Sequence, residues 1–160
     1  MKMFDLEELK REFADCSCGK AHELTIKEIA AGSGITAETG EILKRNGCGK
    51  NVLLVADENT IAAASGVTDA LKNFNLKTKI YRDLREATVG EVEAIKGLLK
   101  EVDGVISVGT GSLNDICRKA AAETDKPLCI FATAASMDGF ASYNAPLVNG
   151  NFKITYAAKS

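Results

Sequence analysis

The chain has 160 residues, 20 Lys and Arg against 22 Asp and Glu for a formal charge of −2, and 46% hydrophobic residues. That length predicts one domain able to bury a real core, and the near-neutral balance excludes the basic stripe of a nucleic-acid-binding protein. Its longest apolar runs, such as VLLVA at 52–56, are too short for a membrane span, and MKMFDLEELKREF at the start lacks the apolar stretch of a signal peptide.

Five cysteines (Cys16, Cys18, Cys48, Cys117 and Cys129) form no disulfide-framework spacing, which points to a reducing cytoplasm. In chain order, residues 4–13 read as a short amphipathic helix with Phe4, Leu6, Leu9 and Phe13 on its apolar side. Alternation around Leu24 and Ile26 predicts a strand within 22–32. Residues 36–45 read as a helix, with Gly47 at the position just past its end. A rhythm then sets in. Short apolar runs at 51–57, 78–83, 104–109 and 127–133 alternate with helical segments at 60–74, 88–101 and 112–124. Capping boxes are expected at Thr88 with Glu91 and at Ser112 with Asp115. Near-continuously apolar strands alternating with helices predict an α/β, Rossmann-like fold: a mainly parallel sheet flanked by helices. The end differs, because Asn149-Gly150 between two apolar runs predicts a C-terminal β-hairpin. The expected organisation is a single nucleotide-binding domain over 1–160, whose natural partner domain would follow the hairpin.

Ligands of open α/β sheets bind at the carboxyl ends of the strands. Those ends read Ala56-Asp57-Glu58-Asn59, Gly109-Thr110-Gly111-Ser112 and Thr133-Ala134-Ala135-Ser136. The glycines of the second permit close backbone approach, and the helix after it aims free N–H groups at the same place, which suits a pyrophosphate. A tight, capped βα turn is the alternative, since Asn114 stands where the dinucleotide fingerprint has its third glycine. Asp57 either accepts hydrogen bonds from a ribose or starts the next helix as a cap. In TAASMDGFAS (133–142), small residues surround one carboxylate, Asp138, able to accept two hydrogen bonds from vicinal hydroxyls; an Asp-Gly turn is the plain alternative. The segment CSCGKAH offers Cys16, Cys18 and His22, with Cys48 a conceivable fourth ligand. Structural zinc usually takes cysteines about two to four residues apart, so the one-residue spacing favours a loop without metal.

Taken together, VGTGSLNDICRKAA, TAASMDGFASYNAPL and FKITYAAKS resemble the sn-glycerol-1-phosphate dehydrogenases, a branch of the iron-containing alcohol dehydrogenase and dehydroquinate synthase-like superfamily, and CSCGKAHELTI is similar to their bacterial members. The resemblance runs through nearly the whole chain. It implies reduction of dihydroxyacetone phosphate to sn-glycerol 1-phosphate with NAD or NADP as cofactor, a zinc-type divalent metal, and a homo-oligomer. It also implies roles. Asp57 would bind the adenosine ribose. Gly109, Thr110, Gly111, Ser112 and Leu113 would wrap the pyrophosphate. Thr133, Ala134, Ala135, Ser136 and Ser142 would contact the cofactor near its nicotinamide half, and Asp138 would hold the substrate's hydroxyls. Family members are longer, with an Asp and two His on a C-terminal helical domain holding the metal. Here His22 is the only histidine, so the family's ligand set is absent and the 160 residues correspond to the nucleotide-binding half, expected to be inactive alone. A glycerol dehydrogenase acting on an unphosphorylated polyol, or a non-catalytic dinucleotide-binding fragment, are the other readings.

Overall fold

Residues 51–57, NVLLVAD, are buried at every position after Asn51, which a strand achieves only when both its edges are paired and both its faces covered. The computed structural model describes residues 2–3, 5–14, 16–20, 22–137 and 139–158, with Lys2 and Met3 described by backbone alone. Two compact units make up the chain, 1–35 and 36–160.

In the first unit, β1 (Lys2–Met3) pairs antiparallel with β2 (Ala30–Ala31). Helix α1 (Leu6–Ala14) follows β1. It is capped by Asp5, whose Oδ1 accepts from the N–H groups of Glu7 and Glu8 at 3.0 and 2.9 Å. The strand expected around Leu24 and Ile26 does not form, because residues 22–29 are irregular. Alternation makes a strand only where a partner pairs with it, and β1 offers partners to Ala30 and Ala31 alone.

The second unit carries α2 (Thr39–Arg45), β3 (Asn51–Asp57), α3 (Glu58–Ala63), α4 (Val67–Ala70), β4 (Asn75–Tyr81), α5 (Val89–Leu99), β5 (Gly104–Gly109), α6 (Gly111–Thr124), β6 (Leu128–Ala132), β7 (Asn144–Asn149) and β8 (Phe152–Ala157). A parallel sheet has the order β4-β3-β5-β6, and β7 and β8 pair as a separate antiparallel hairpin. The expected Rossmann-like α/β architecture with a terminal hairpin is therefore present. Side chains alternate across the sheet and build two cores. Leu53, Val55 and Val105 face α5 and α6 through Ile95, Leu99, Leu113, Ile116 and Cys117, where Ala145 and Leu147 of the hairpin also pack. Val52, Leu54, Ile106 and Val108 face Leu43 of α2, Val67 of α4, and Leu71 and Phe74 beyond it. Among the described residues no helix is long and apolar enough to cross a membrane.

Local departures from the sequence reading have local causes. The helix expected over 60–74 is two pieces, α3 and α4, broken at Ser65-Gly66, with Gly66 in the left-handed region at φ 88°. Strand β4 begins at Asn75 rather than 78, because Asn75 N–H already bonds the Lys50 carbonyl at 2.8 Å beside β3. Thr88 caps α5 by accepting from Glu91 N–H at 3.2 Å. The Glu91 carboxylate does not complete the expected box; it accepts from the Tyr81 hydroxyl at 2.6 Å. Gly47 ends α2 as expected, at φ 84° with its N–H on the Lys44 carbonyl. The hairpin turn is centred on Gly150-Asn151, one residue later than the Asn-Gly pair suggests, and puts glycine (φ 60°) at the first central position.

Two glycines make opposite tests of this description. Gly66→Ala would force a side chain into the left-handed region and is expected to destabilise by about 1–2 kcal/mol. Gly97→Ala, inside α5 with nothing within 4 Å of an added Cβ, is expected to stabilise by about 0.5–1 kcal/mol. Urea unfolding of the two variants beside the parent chain measures both.

Candidate functional site

Strand β3 is followed in sequence by its neighbour β4 on one side, and the chain then crosses to β5 on the other. The order reverses between β3 and β5, and at such a point the loops leaving the two carboxyl ends part to open a crevice. Asp57 ends β3 and Gly109 ends β5, so the structure sets two of the predicted strand ends side by side.

Thr60 ties these ends together. Its hydroxyl donates to the Val108 carbonyl at 2.7 Å and accepts from Asp57 N–H at 2.9 Å. Asp57 is itself the N-cap of α3: Oδ1 accepts from Asn59 N–H at 2.9 Å, and Oδ2 accepts weakly from Leu84 N–H at 3.4 Å. The cap reading of Asp57 thus holds. A carboxylate has about four acceptor positions; the Thr60 backbone N–H, completing a capping box, takes one more, and capacity remains on a residue that is 9% exposed.

The strand end at Gly109 differs from the sequence reading in its cap. Thr110, not Ser112, is the N-cap of α6, and its side chain makes no capping bond; Gly111 and Ser112 are already helical. Among the described residues, no side chain caps the first N–H groups of this 14-residue helix at the crevice. A Cβ on Gly111 would meet nothing within 4 Å, so the helix start opens to free space. Gly109 has the opposite reason to be glycine, because a Cβ there would run into Leu113. Leu113 is buried in the core, so of its atoms only the backbone N–H can serve a ligand at this turn.

Beyond β6, Thr133 and Ala134 are half-buried while Ala135 and Ser136 are exposed, in a turn closed by Met137 N–H on the Ala134 carbonyl at 3.2 Å. Asp138 lies outside the described residues. The residues around it are held by two buried polar side chains of α6 that the motif reading does not single out. Asn114, 1% exposed, accepts from the Ser107 hydroxyl at 2.7 Å and donates to the Met137 sulfur at 3.4 Å. Arg118, 3% exposed, donates to the carbonyls of Gly139 at 2.5 Å and Asn144 at 3.2 Å. Ser142 is engaged locally, its hydroxyl accepting from Asn144 N–H at 3.0 Å and its own N–H donating to Gly139. Asn114 and Arg118 are four residues apart on the helix stripe that also carries Cys117 and Ala121. Two polar residues on an otherwise apolar face are the signal by which the sequence could have disclosed them.

Arg118 also pairs with Asp115 at 3.2 Å. Burial nevertheless dominates at Asp115 and raises its carboxyl to about 6, against the opposing pull of Arg118 and Lys153. Burial likewise lowers the Arg118 guanidinium from its ordinary value, with Asp115 opposing. Among the described residues of the second unit, no cluster of His, Cys, Asp and Glu is arranged to hold a metal.

The first unit holds the one cluster of such groups among the described residues. The donor atoms of Cys16, Cys18 and His22 lie within 4.8 Å of one another. Cys48 is not among them; it is buried in the second core against Gly104.

The chain is similar to several known proteins. A profile of the iron-containing alcohol dehydrogenases matches residues 30–160. The glycerol-1-phosphate dehydrogenase (NAD(P)+) of Halalkalibacterium halodurans is 29% identical over 97% of this chain and 41% of its own length. That of Bacillus velezensis is 30% identical over 96% of the chain and 41% of its length. The chain thus spans about two fifths of the curated relatives it matches. Among solved structures, sulfoacetaldehyde reductase from Bifidobacterium kashiwanohense in complex with NAD+ superposes with TM-score 0.64 at 19% identity, over 79% of this chain and 40% of that one. Glycerol dehydrogenase from Schizosaccharomyces pombe gives 0.63 at 18% identity, over 77% and 32%. These two likenesses establish the fold.

Two outcomes test the α6 anchors. Arg118→Met removes the bonds to Gly139 and Asn144 and strands Asp115; it is expected to cost about 2–5 kcal/mol in urea unfolding and to speed amide exchange over 137–144. The second concerns pH. Between about pH 4 and pH 6, the folded chain retains the Asp115 proton that an ordinary carboxyl in the unfolded chain has released. The folded state binds more protons there, so the Asp115 contribution makes stability fall as pH rises through that window. Asp115→Asn is expected to remove this component, seen as a flatter pH profile of the unfolding midpoint.

Proposed function

Because the chain belongs to the iron-containing alcohol dehydrogenase family, we propose that it is the dinucleotide-binding part of an NAD(P)-dependent enzyme reducing dihydroxyacetone phosphate to sn-glycerol 1-phosphate. The observation that carries this reading is the crevice between β3 and β5, with a capping carboxylate on one lip and an uncapped 14-residue helix opening from Gly111 on the other.

The residues fit a dinucleotide. The N–H groups at the start of α6, from Gly111 to Leu113, suit a pyrophosphate: among the described residues no side chain caps them, and glycine clears the approach. Gly109 and Thr110 shape that turn. Asp57 keeps the lone-pair capacity to accept from a ribose hydroxyl. Thr133, Ala134, Ala135, Ser136 and Ser142 would border the nicotinamide half, where small side chains admit a flat ring. Asp138 would accept from the substrate's hydroxyls, its flanks fixed by Asn114 and Arg118. When bound, the reduced cofactor supplies the hydride; the residues of this chain bind, orient and exclude water.

These residues do not fit the metal of the family. The chain has one histidine, His22, so no step through that metal is assigned to it. The carbonyl-polarising group belongs, in this reading, to sequence outside these 160 residues, and with it full turnover of the phosphorylated substrate. The resemblance of nearly the whole chain to glycerol-1-phosphate dehydrogenases supports the phosphorylated over the free polyol.

The discriminating variant is Asp57→Asn, because Asn caps a helix as well as Asp and gives up only the weak bond from Leu84 N–H. The carboxylate repels a 2′-phosphate, so the parent chain is expected to bind NADH in preference to NADPH. Removing one unit charge at a partly hydrated site should narrow that preference about five- to tenfold. Fluorescence titration with both cofactors measures it. An equal loss of both affinities would remove Asp57 from the ribose, and no binding of either to the parent chain would overturn the reading.

A further inference from the structure

The CSCGKAH segment is not absorbed by the dinucleotide site, and its geometry is that of a ligand set. Cys16 lies two residues past the end of α1, its N–H on the Phe13 carbonyl at 3.3 Å. The chain then reverses at Gly19, which takes φ 70°, a left-handed conformation that glycine enters without the cost borne by other residues. The turn brings His22 back onto Cys18, so that the Cys18 sulfur and His22 Nε2 share a hydrogen bond of 2.9 Å. The Phe13 ring lies beside the imidazole, centroids 5.8 Å apart and tilted by 48°.

We infer that Cys16, Cys18 and His22 form a binding site for a zinc-type divalent cation. Around tetrahedral zinc, with Zn–S about 2.3 Å and Zn–N about 2.0 Å, neighbouring donors sit about 3.5–3.8 Å apart. The three donor atoms here lie within 4.8 Å of one another without an ion, so closing on a cation takes side-chain adjustment and no refolding. The spacing rule that disfavours C-x-C describes pairs gripping an ion from a plain turn; here the reversal at Gly19 delivers the third donor instead. Two sulfurs and an imidazole are the donors of a borderline-soft cation, and hard oxygen-seeking ions such as magnesium and calcium are disfavoured. Binding deprotonates both thiols and releases their protons to solvent, leaving a neutral Cys2His–zinc unit whose fourth position is open to water or another donor. Both cysteines are at the surface, so an ion reaches them directly.

The test uses the 160-residue chain, free of any affinity tag and kept under a non-chelating reductant. Titration with zinc, and with cobalt(II) as its coloured substitute, is expected to show one equivalent bound and a thiolate-to-cobalt charge-transfer absorption. Cys18→Ser and His22→Ala are each expected to weaken zinc at least about a hundredfold, while Cys48→Ala leaves the stoichiometry at one. The mutated triad positions are exposed, and unchanged far-ultraviolet dichroism establishes that each variant is folded. A reduced chain that takes up no zinc would overturn the inference, as would uptake undiminished in both triad variants. None of these readouts depends on nicotinamide cofactor, so failure here and failure of the proposed activity are separable.

Discussion

The pairing of β3 with β5 is the constraint on which the second unit rests. Both strands are buried along nearly their full length, so they can exist only in the middle of a sheet with helices on each face. Their adjacency, with β4 placed outside β3, creates the reversal of strand order that parts the following loops. The Thr60 hydroxyl fixes the relation of the two strand ends to each other by bridging the Asp57 N–H and the Val108 carbonyl. A buried hydroxyl satisfied on both sides is a stiff spacer, because breaking either bond would leave an unpaired polar group in the core. The width of the crevice is therefore set by the sheet and by one threonine.

Helix α6 serves three tasks with three sets of residues. Its apolar stripe, Leu113, Ile116, Cys117, Ala120 and Ala121, packs on the sheet. Its start, without a side-chain cap, faces the crevice. Its two buried polar residues reach the far side of the loop after β6, Asn114 to Met137 and Arg118 to Gly139 and Asn144. Arg118 meets carbonyls more than carboxylates, so it organises backbone at the cost of its own hydration, and the same dry surroundings hold the Asp115 proton. The segment of small residues needs such anchors, since alanine, serine and glycine supply little packing of their own.

The sheet was legible because burial on both faces leaves a compositional mark: VLLVA and GVISVG admit no polar alternation, and the helices between them fix the parallel connection. The hairpin was legible for a similar local reason, a glycine where the turn needs positive φ. What escaped was decided by tertiary contact. Leu24 and Ile26 alternate as a strand would, yet no partner pairs with them. Glu91 stands three residues after Thr88 as a capping box requires, but Tyr81 holds its carboxylate more closely. In the candidate site, strand ends and glycine turns announce themselves because they are contiguous in sequence. Thr60, Asn114 and Arg118 act across separations of 48, 23 and 26 residues, which no local motif records. The cysteine cluster is the converse case, where spacing argued one way and a single left-handed glycine brings the donors together.

Cys117 carries a consequence of another kind. It sits at 0% exposure in the middle of α6, where burial pushes its thiol up to about 12 despite a hydrogen bond with Ser107. A thiol so placed is protonated at every ordinary pH and out of reach of an alkylating reagent while the helix stays docked on the sheet. Cys16 and Cys18 stand at the surface and react at once. The slow labelling of Cys117, read at its own peptide so that Cys48 and Cys129 do not contribute, is thus a clock built into the chain, and its rate counts how often α6 parts from the sheet.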